Sequence, residues 1–152
     1  MTIPVNKLSI NVFQHETELK DKIFDGLQVL FPEEYHQSLE KLFREEKIEG
    51  YHGNRIIKYS SEFQKNKNTQ NLFIFIMKKI LASCSFYDLF DRITDSGELF
   101  IRLNKQDLIS TGQLNLDSTS DVYKIVIKFL FFNKKIDKVK EIYSFLQTLQ
   151  SE

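Results

Sequence analysis

The sequence predicts an α+β fold, a single domain over residues 1–152 with a mainly antiparallel sheet and helices packed on one face. Strand-like alternation and helix-like spacing of apolar residues follow one another along the chain. A turn with two glycines at residues 50–54 joins two strand-like segments into a predicted hairpin, a connection typical of antiparallel sheets. The length of 152 residues fits one domain, and 14 Phe with six Tyr supply apolar area for its core.

The first half of the chain predicts the order strand, helix, helical turn, strand, strand and helix. Alternating residues 8–12 indicate the first strand, and apolar residues at helical spacing indicate a helix over 19–30. Residues 33–50 are ambiguous, and we favour a helical turn followed by an edge strand. The hairpin follows, and a polar break at residues 66–69 precedes a helix that we expect to begin at Asn71.

The second half predicts helix, strand, strand and helix. Helical spacing over residues 86–93 is followed by alternation over 99–103. A turn at residues 111–112 leads to residues 123–131, the longest alternating run in the chain. Apolar positions over 136–149 recur on one side of a final predicted helix.

Charges cancel over the whole chain, with 21 basic and 21 acidic side chains, but they are segregated along it. Residues 1–50 carry six basic and ten acidic groups, and residues 84–121 carry three and seven. Residues 51–83 carry six basic and one acidic, and residues 122–152 carry six and three. This excludes a uniformly basic nucleic-acid binder, yet it permits a domain whose faces differ in charge.

The sequence lacks the motifs of several enzyme classes. Phosphate-binding loops, the dinucleotide fingerprint, HExxH and GxSxG are missing, so we expect no enzyme, no catalytic residue and no cofactor. Three scattered histidines and the single Cys84 predict neither a metal site nor an internal disulfide. The sequence shows no signal peptide and no apolar run of membrane-spanning length, so we expect a cytoplasmic protein without a membrane partner.

The predicted turn at residues 50–55 groups side chains that suit nucleic acid. Tyr51 and His52 offer rings for stacking, Asn54 offers hydrogen bonds, and Arg55 is a permanent cation. In a second interpretation, the glycines only make the turn and the aromatic rings pack against neighbouring strands.

Further polar groups occur at the end of the strand over 99–103 and along the strand over 123–131. They are Arg102, Asn104, Lys105, Gln106, Lys124 and Lys128. A solvated strand end and solvated faces are the usual explanation of such groups. A binding role is favoured by the scarcity of acid in residues 51–83, where Glu62 is the single acidic residue.

Three motifs together resemble an archaeal RNA-binding family. They are GYHGNRI at residues 50–56, GELFIRLNKQ at 97–106 followed by Gly112, and DVYKIVIKF at 121–129. The resemblance runs from about residue 7 to residue 146. It implies a fold like that of double-stranded-RNA-binding domains and of the ribosomal protein that binds 5S RNA, and a predicted association with the exosome.

The first functional hypothesis is a non-catalytic RNA-binding protein of ribosome-related or exosome-associated machinery, whose partners are structured RNA and ribosomal or exosome proteins. The residues that would contact phosphates are Arg55, Lys58, Arg102, Lys105, Lys124 and Lys128. Those that would contact bases or ribose are Tyr51, His52, Asn54, Asn104 and Gln106.

The second hypothesis is a protein–protein interaction module, for example an immunity protein or an assembly factor. Acidic surfaces from residues 1–50 and 84–121 would then face a basic partner.

Overall fold

A five-stranded antiparallel sheet is the main element of this computed structural model, which describes residues 2–84, 87–133 and 135–151. The strands are β1 (Val5–Gln14), β2 (Arg44–Glu49), β3 (Arg55–Gln64), β4 (Glu98–Asn104) and β5 (Val122–Phe129), in the order β2-β3-β1-β5-β4. Burial alternates along β1, β4 and β5 because one face of the sheet is covered by helices and the other is open. The predicted α+β class is confirmed.

Six α-helices and one 3₁₀ helix are present in the described part of the chain. They are α1 (Lys20–Val29), the 3₁₀ helix (Glu33–Ser38), α2 (Leu39–Leu42), α3 (Lys67–Ser83), α4 (Tyr87–Phe90), α5 (Lys105–Thr111) and α6 (Lys138–Gln150). The helix predicted over residues 86–93 is shorter, and position 86 lies outside the described residues. No described helix is both long and apolar enough to cross a membrane.

The fold divides into two compact units. The first contains the residues up to Ser9, Glu62–Ile101 and the chain from Ile125 onward. Its core includes Phe73 of α3, whose ring centroid lies 5.4 Å from that of Phe129 and 5.8 Å from that of Phe145. These aromatic contacts join α3 and α6 to the sheet within this unit.

The second unit contains Ile10–Ser61 and Arg102–Lys124. The buried Tyr123 hydroxyl of β5 donates a hydrogen bond to the Ile23 carbonyl oxygen of α1, at 2.6 Å. Gly26 lies against the same ring, where a Cβ atom would collide with the Tyr123 hydroxyl. Glycine therefore lets α1 pack closely on β5.

Two helix starts differ from the predictions. The polar break expected at residues 66–69 is the start of α3, because the Asn66 side chain accepts a hydrogen bond from Thr69 N. Residues 105–106, expected at a strand end, form the first turn of α5. Asn104 caps this helix by accepting from Asp107 N at 2.9 Å, and Gly112 ends it with a φ of 74°.

Candidate nucleic-acid interface

The strands of the β2–β3 hairpin carry balanced charge. In their register, Arg55 lies opposite Glu49 and Lys58 lies opposite Glu46. Since directly opposed residues share a face, each of these two cations has a carboxylate as its cross-strand neighbour. The alternation of the strand also places Arg55 and Lys58 on opposite faces of the sheet. The two predicted phosphate contacts therefore do not form one basic surface.

The hairpin tip, residues 50–54, presents two aromatic rings to solvent. Tyr51 is 98% exposed, and its ring lies edge-to-face with that of the exposed His52, at 5.2 Å between centroids. Gly53 has a φ of 76° and donates its N–H to the Gly50 carbonyl oxygen at 2.9 Å. The glycines thus form the turn, but neither ring packs against the neighbouring strands as the second interpretation predicts.

Arg102 of β4 and Lys124 of β5 line one cleft, about 260 Å³ in volume, in the second unit. We call it the basic cleft. The residues that line it are Asn11, Phe13, Arg102, Ser118, Thr119, Ser120, Val122 and Lys124. Two cations, three consecutive hydroxyls, an amide and an aromatic ring thus surround one space, and no carboxylate is among these lining residues. Such a set of groups suits a phosphate with its sugar or base.

Lys105 lies outside the cleft, with 1% of its side chain exposed. Its Nζ donates to the Phe13 carbonyl oxygen at 2.7 Å and to Glu18 Oε1 at 3.0 Å, and it lies 2.6 Å from Asp121 Oδ1. A buried ammonium group requires partners of this kind. The predicted phosphate contact of Lys105 does not fit this burial, so we assign Lys105 a structural role instead.

A possible metal-binding group coincides with this lysine. Ligand atoms of His15, Glu18 and Asp121 all lie within 4.8 Å of one another, a spacing that a metal ion could use. The ammonium group of Lys105 already contacts both carboxylates and compensates part of their charge. We therefore interpret the cluster as an ion-pair network.

Asn104 also has a structural role. Its Oδ1 caps α5, while its Nδ2 donates to Asp117 Oδ2 at 2.8 Å. The Asp117 carboxylate accepts a second hydrogen bond from Thr119 N at 2.9 Å, and Asp117 N donates to the Arg102 carbonyl oxygen. Hydrogen bonds to the Asp117 carboxylate lower its pKa, and the bond from the Thr119 backbone N–H has the largest effect. One end of the Asn104 amide thus caps α5, and the other end, through Asp117, positions the loop that carries the cleft hydroxyls.

The other predicted residues are distributed more widely. Gln106 is exposed in the first turn of α5, and Lys128 is exposed on β5 within the first unit. Asn54 is half-buried at the hairpin tip, with its side chain against Gly50. None of the three is among the residues that line the basic cleft.

Six residues of the cleft were not predicted as site residues from the sequence. They are Asn11, Phe13, Ser118, Thr119, Ser120 and Val122. The alternation of β1 contained a usable signal, because Asn11 and Phe13 flank the buried Val12 and must lie on the opposite face. The loop hydroxyls had no comparable signal, since their position depends on the Asn104–Asp117 hydrogen bond.

Several carboxylates of the two acidic segments are paired within the second unit. Glu18 and Asp121 contact Lys105, and Lys20 lies 3.8 Å from Glu45 and 4.0 Å from Glu40. These pairings reduce the charge that residues 1–50 and 84–121 could present to a basic protein.

Known proteins are similar to this chain in sequence and in fold. The sequence matches the family described as RNA binding over residues 7–129, and the chain belongs to this family. RNA-binding protein PAB1135 of Pyrococcus abyssi is 27% identical over 141 residues, which cover 90% of each chain.

Solved archaeal structures share the fold. Mth689, a DUF54 protein from Methanothermobacter thermautotrophicus, has a TM-score of 0.72 at 22% identity and covers 94% of this chain and 98% of its own. Protein SSO0741 from Sulfolobus solfataricus, also DUF54, has a TM-score of 0.65 at 26% identity, with 91% and 98% covered. The resemblance to an archaeal RNA-binding family is thus confirmed, while the exosome association and the double-stranded-RNA-binding-like fold stay predictions.

Proposed function

We propose that this protein is a non-catalytic RNA-binding protein that holds structured RNA through the basic cleft and the hairpin tip. Family membership supports RNA as the ligand. The observation that carries the location is the presence of Arg102 and Lys124 in one cleft whose lining has no carboxylate. Two cations that line one cleft together with hydroxyl groups are a combination that binds phosphates.

Fewer residues contact RNA directly in this proposal than the sequence predicts. Phosphates contact Arg102 and Lys124 first, and Arg55, Lys58 and Lys128 are secondary contacts. Bases or ribose contact Tyr51, His52, Asn54 and Gln106. Lys105 and Asn104 act as positioning residues, because their polar atoms are engaged inside the protein.

We further propose that the protein acts in ribosome-related or exosome-associated RNA processing in the cytoplasm. This role is supported by the motifs at residues 50–56, 97–106 and 121–129. Affinity purification with and without RNase tests it. Ribosomal or exosome proteins that are lost on RNase treatment support the proposal, whereas stoichiometric RNase-resistant partners favour the protein-interaction hypothesis.

Salt-dependent binding tests the cleft directly. Fluorescence anisotropy with a structured RNA should show that the Arg102→Gln and Lys124→Gln substitutions each weaken binding and each reduce the slope of log affinity against log salt by about 1. The matched control is Lys22→Gln on α1, an exposed lysine 3.9 Å from Asp25. Unchanged slopes in both cleft variants would contradict the proposal.

The hairpin tip has its own variant. Tyr51→Ala should weaken RNA binding several-fold without changing the salt slope, because stacking displaces no counterions. Because Tyr51 is exposed, the Tyr51→Ala substitution should change the free energy of unfolding by less than about 0.5 kcal/mol. If the Tyr51→Ala protein bound RNA as tightly as the wild type, the hairpin tip would not be part of the interface.

A further inference from the structure

We infer that the basic cleft holds a single unpaired nucleotide, with its phosphate at Arg102 and Lys124 and its base against the ring of Phe13. This inference rests on the proposed function and narrows its ligand, from structured RNA in general to an unpaired nucleotide within that RNA. It assigns a stacking role to Phe13, which no sequence motif singles out.

Phe13 has the position that stacking requires. It alternates with the buried Val12 on β1 and therefore lies on the open face of the sheet, where it lines the cleft. Its side chain is half-buried, and in the described part of the chain no aromatic ring is found paired with it. An aromatic ring beside cations on an open sheet face can accept the flat surface of a base.

The size of the cleft favours one nucleotide. Its volume of about 260 Å³ lies just below the range of roughly 300–1,000 Å³ that is typical of sites for drug-sized ligands. Within a duplex, both faces of a base are covered by its stacked neighbours, so Phe13 could not contact them. A bulged, looped or terminal nucleotide leaves one face open for the ring.

The hydroxyls of Ser118, Thr119 and Ser120 complete the recognition. Each hydroxyl can both donate and accept a hydrogen bond, so this loop can bind phosphate oxygens and the ribose hydroxyls alike. Two cations alone would bind any phosphate, whereas cations, hydroxyls and a ring together require phosphate, sugar and base in one ligand.

Both walls of the cleft are held by hydrogen bonds within the protein, and those made by the Lys105 and Asn104 side chains are part-buried. Lys105 binds the backbone of Phe13 on one side and Asp121, where the loop ends, on the other. Asn104, through Asp117, holds the backbone of Thr119. A site that is ordered before the ligand arrives loses less entropy on binding, so even a small ligand can be held.

Ligands that contain the phosphate, the nucleoside or both test the phosphate contacts and the base contact separately. In a chemical-shift titration by NMR, adenosine 5′-monophosphate should bind more tightly than inorganic phosphate or adenosine. Phe13→Leu should weaken binding of the nucleotide about tenfold and leave that of phosphate unchanged, since a stacked base contributes about 1–3 kcal/mol. Phe13→Tyr should restore nucleotide binding, and Arg102→Gln should weaken binding of both nucleotide and phosphate.

Two RNA hairpins that differ by one bulged nucleotide test the same inference in RNA. The wild type should prefer the bulged RNA about tenfold, and Phe13→Leu should abolish that preference. The matched control is Phe132→Leu, an exposed phenylalanine of the first unit that should leave the preference intact. Circular dichroism checks that each variant is folded.

The outcomes distinguish this inference from the proposed function. Equal affinity of the wild type for the two RNAs, or a preference that survives Phe13→Leu, would overturn the inference and leave RNA binding intact. A wild-type protein that binds neither RNA would overturn the proposed function itself.

Discussion

Two cationic regions of the second unit, the Lys105 cluster and the basic cleft, use similar side chains for different ends. Lys105 is buried against Glu18 and Asp121, whereas Arg102, three residues earlier, is exposed in a cleft whose lining has no carboxylate. The charge of Lys105 is compensated inside the protein, and that of Arg102 is not compensated by any residue of the cleft. The role of a cation is therefore decided by its neighbours, and its residue type alone is a poor guide.

The two regions are nevertheless linked through Phe13. Its carbonyl oxygen accepts a hydrogen bond from Lys105, while its ring lines the cleft. The buried cluster thus holds one wall of the cleft that Arg102 and Lys124 line. Variants of each region should separate stability from affinity.

The largest effect on stability is expected at Lys105. Lys105→Met should lower the free energy of unfolding by about 2–3 kcal/mol, because Glu18 and Asp121 lose their cation and the Phe13 carbonyl loses its donor. The side chain of Asp121 is 46% exposed as a whole, but its Oδ1 beside Lys105 is buried and depends on this cation. Urea denaturation measures the change.

Lys22→Met serves as the control, since this lysine is exposed on α1 and should change stability by less than about 0.5 kcal/mol. If the two lysine variants were equally stable, the contrast between the buried cluster and the cations of the basic cleft would fail.

A smaller effect is expected at Asn104, where helix cap and cleft loop meet. Asn104→Ala should cost about 1–2 kcal/mol, because α5 loses its cap and Asp117 loses a donor. RNA affinity should fall as well, although Asn104 does not line the cleft. Urea denaturation and anisotropy on the same preparation measure both quantities.

Asn104→Asp separates the two functions of this residue. An aspartate keeps the oxygen that caps α5, but it cannot donate to Asp117 and places a second carboxylate beside it. It should therefore retain the cap and still weaken RNA binding. Full RNA affinity in this variant would show that the loop does not need the Asn104–Asp117 hydrogen bond.

The smallest effect is expected at Asp117, and it depends on pH. Because hydrogen bonds depress the pKa of this carboxyl group in the folded state, its contribution to stability is present above the unfolded pKa of about 3.9 and is lost as pH falls through the lower folded pKa. Asp117→Asn should thus be less stable than the wild type at neutral pH, and the difference should shrink below about pH 4. Urea denaturation at a series of pH values measures it, and a difference independent of pH would contradict the assignment.

Local sequence patterns were sufficient for most of the secondary structure. Alternation identified β1, β4 and β5, and the glycine-containing turn identified the β2–β3 hairpin. The helix α5 was missed although its signals were present, with Asn104 three residues before Asp107 and Gly112 at its end. At seven residues, this helix has too little periodicity for the pattern of apolar residues to reveal it.

The candidate site was less predictable than the fold. Arg102 and Lys124 were identified, whereas Lys105 was assigned to the surface although it continues the inward phase of Leu99, Ile101 and Leu103. Lys105 was treated as exposed because a buried lysine is rare. The error was to leave out the exception, which is a lysine paired with acidic groups. Its partners could not be recognised from the sequence, where acidic residues are abundant and none is marked as the partner.

The sequence by itself determined which residues alternate, where the chain turns and which segments are basic or acidic, because these properties depend on neighbours within a few positions. Only the tertiary structure decided the strand order β2-β3-β1-β5-β4 and the pairing of Lys105 with Glu18, 87 residues away. The same holds for the cleft, whose walls come from β1, β4, β5 and the loop before β5. Contacts over such separations result from the packing of the whole sheet, for which no local pattern of residues contains the information.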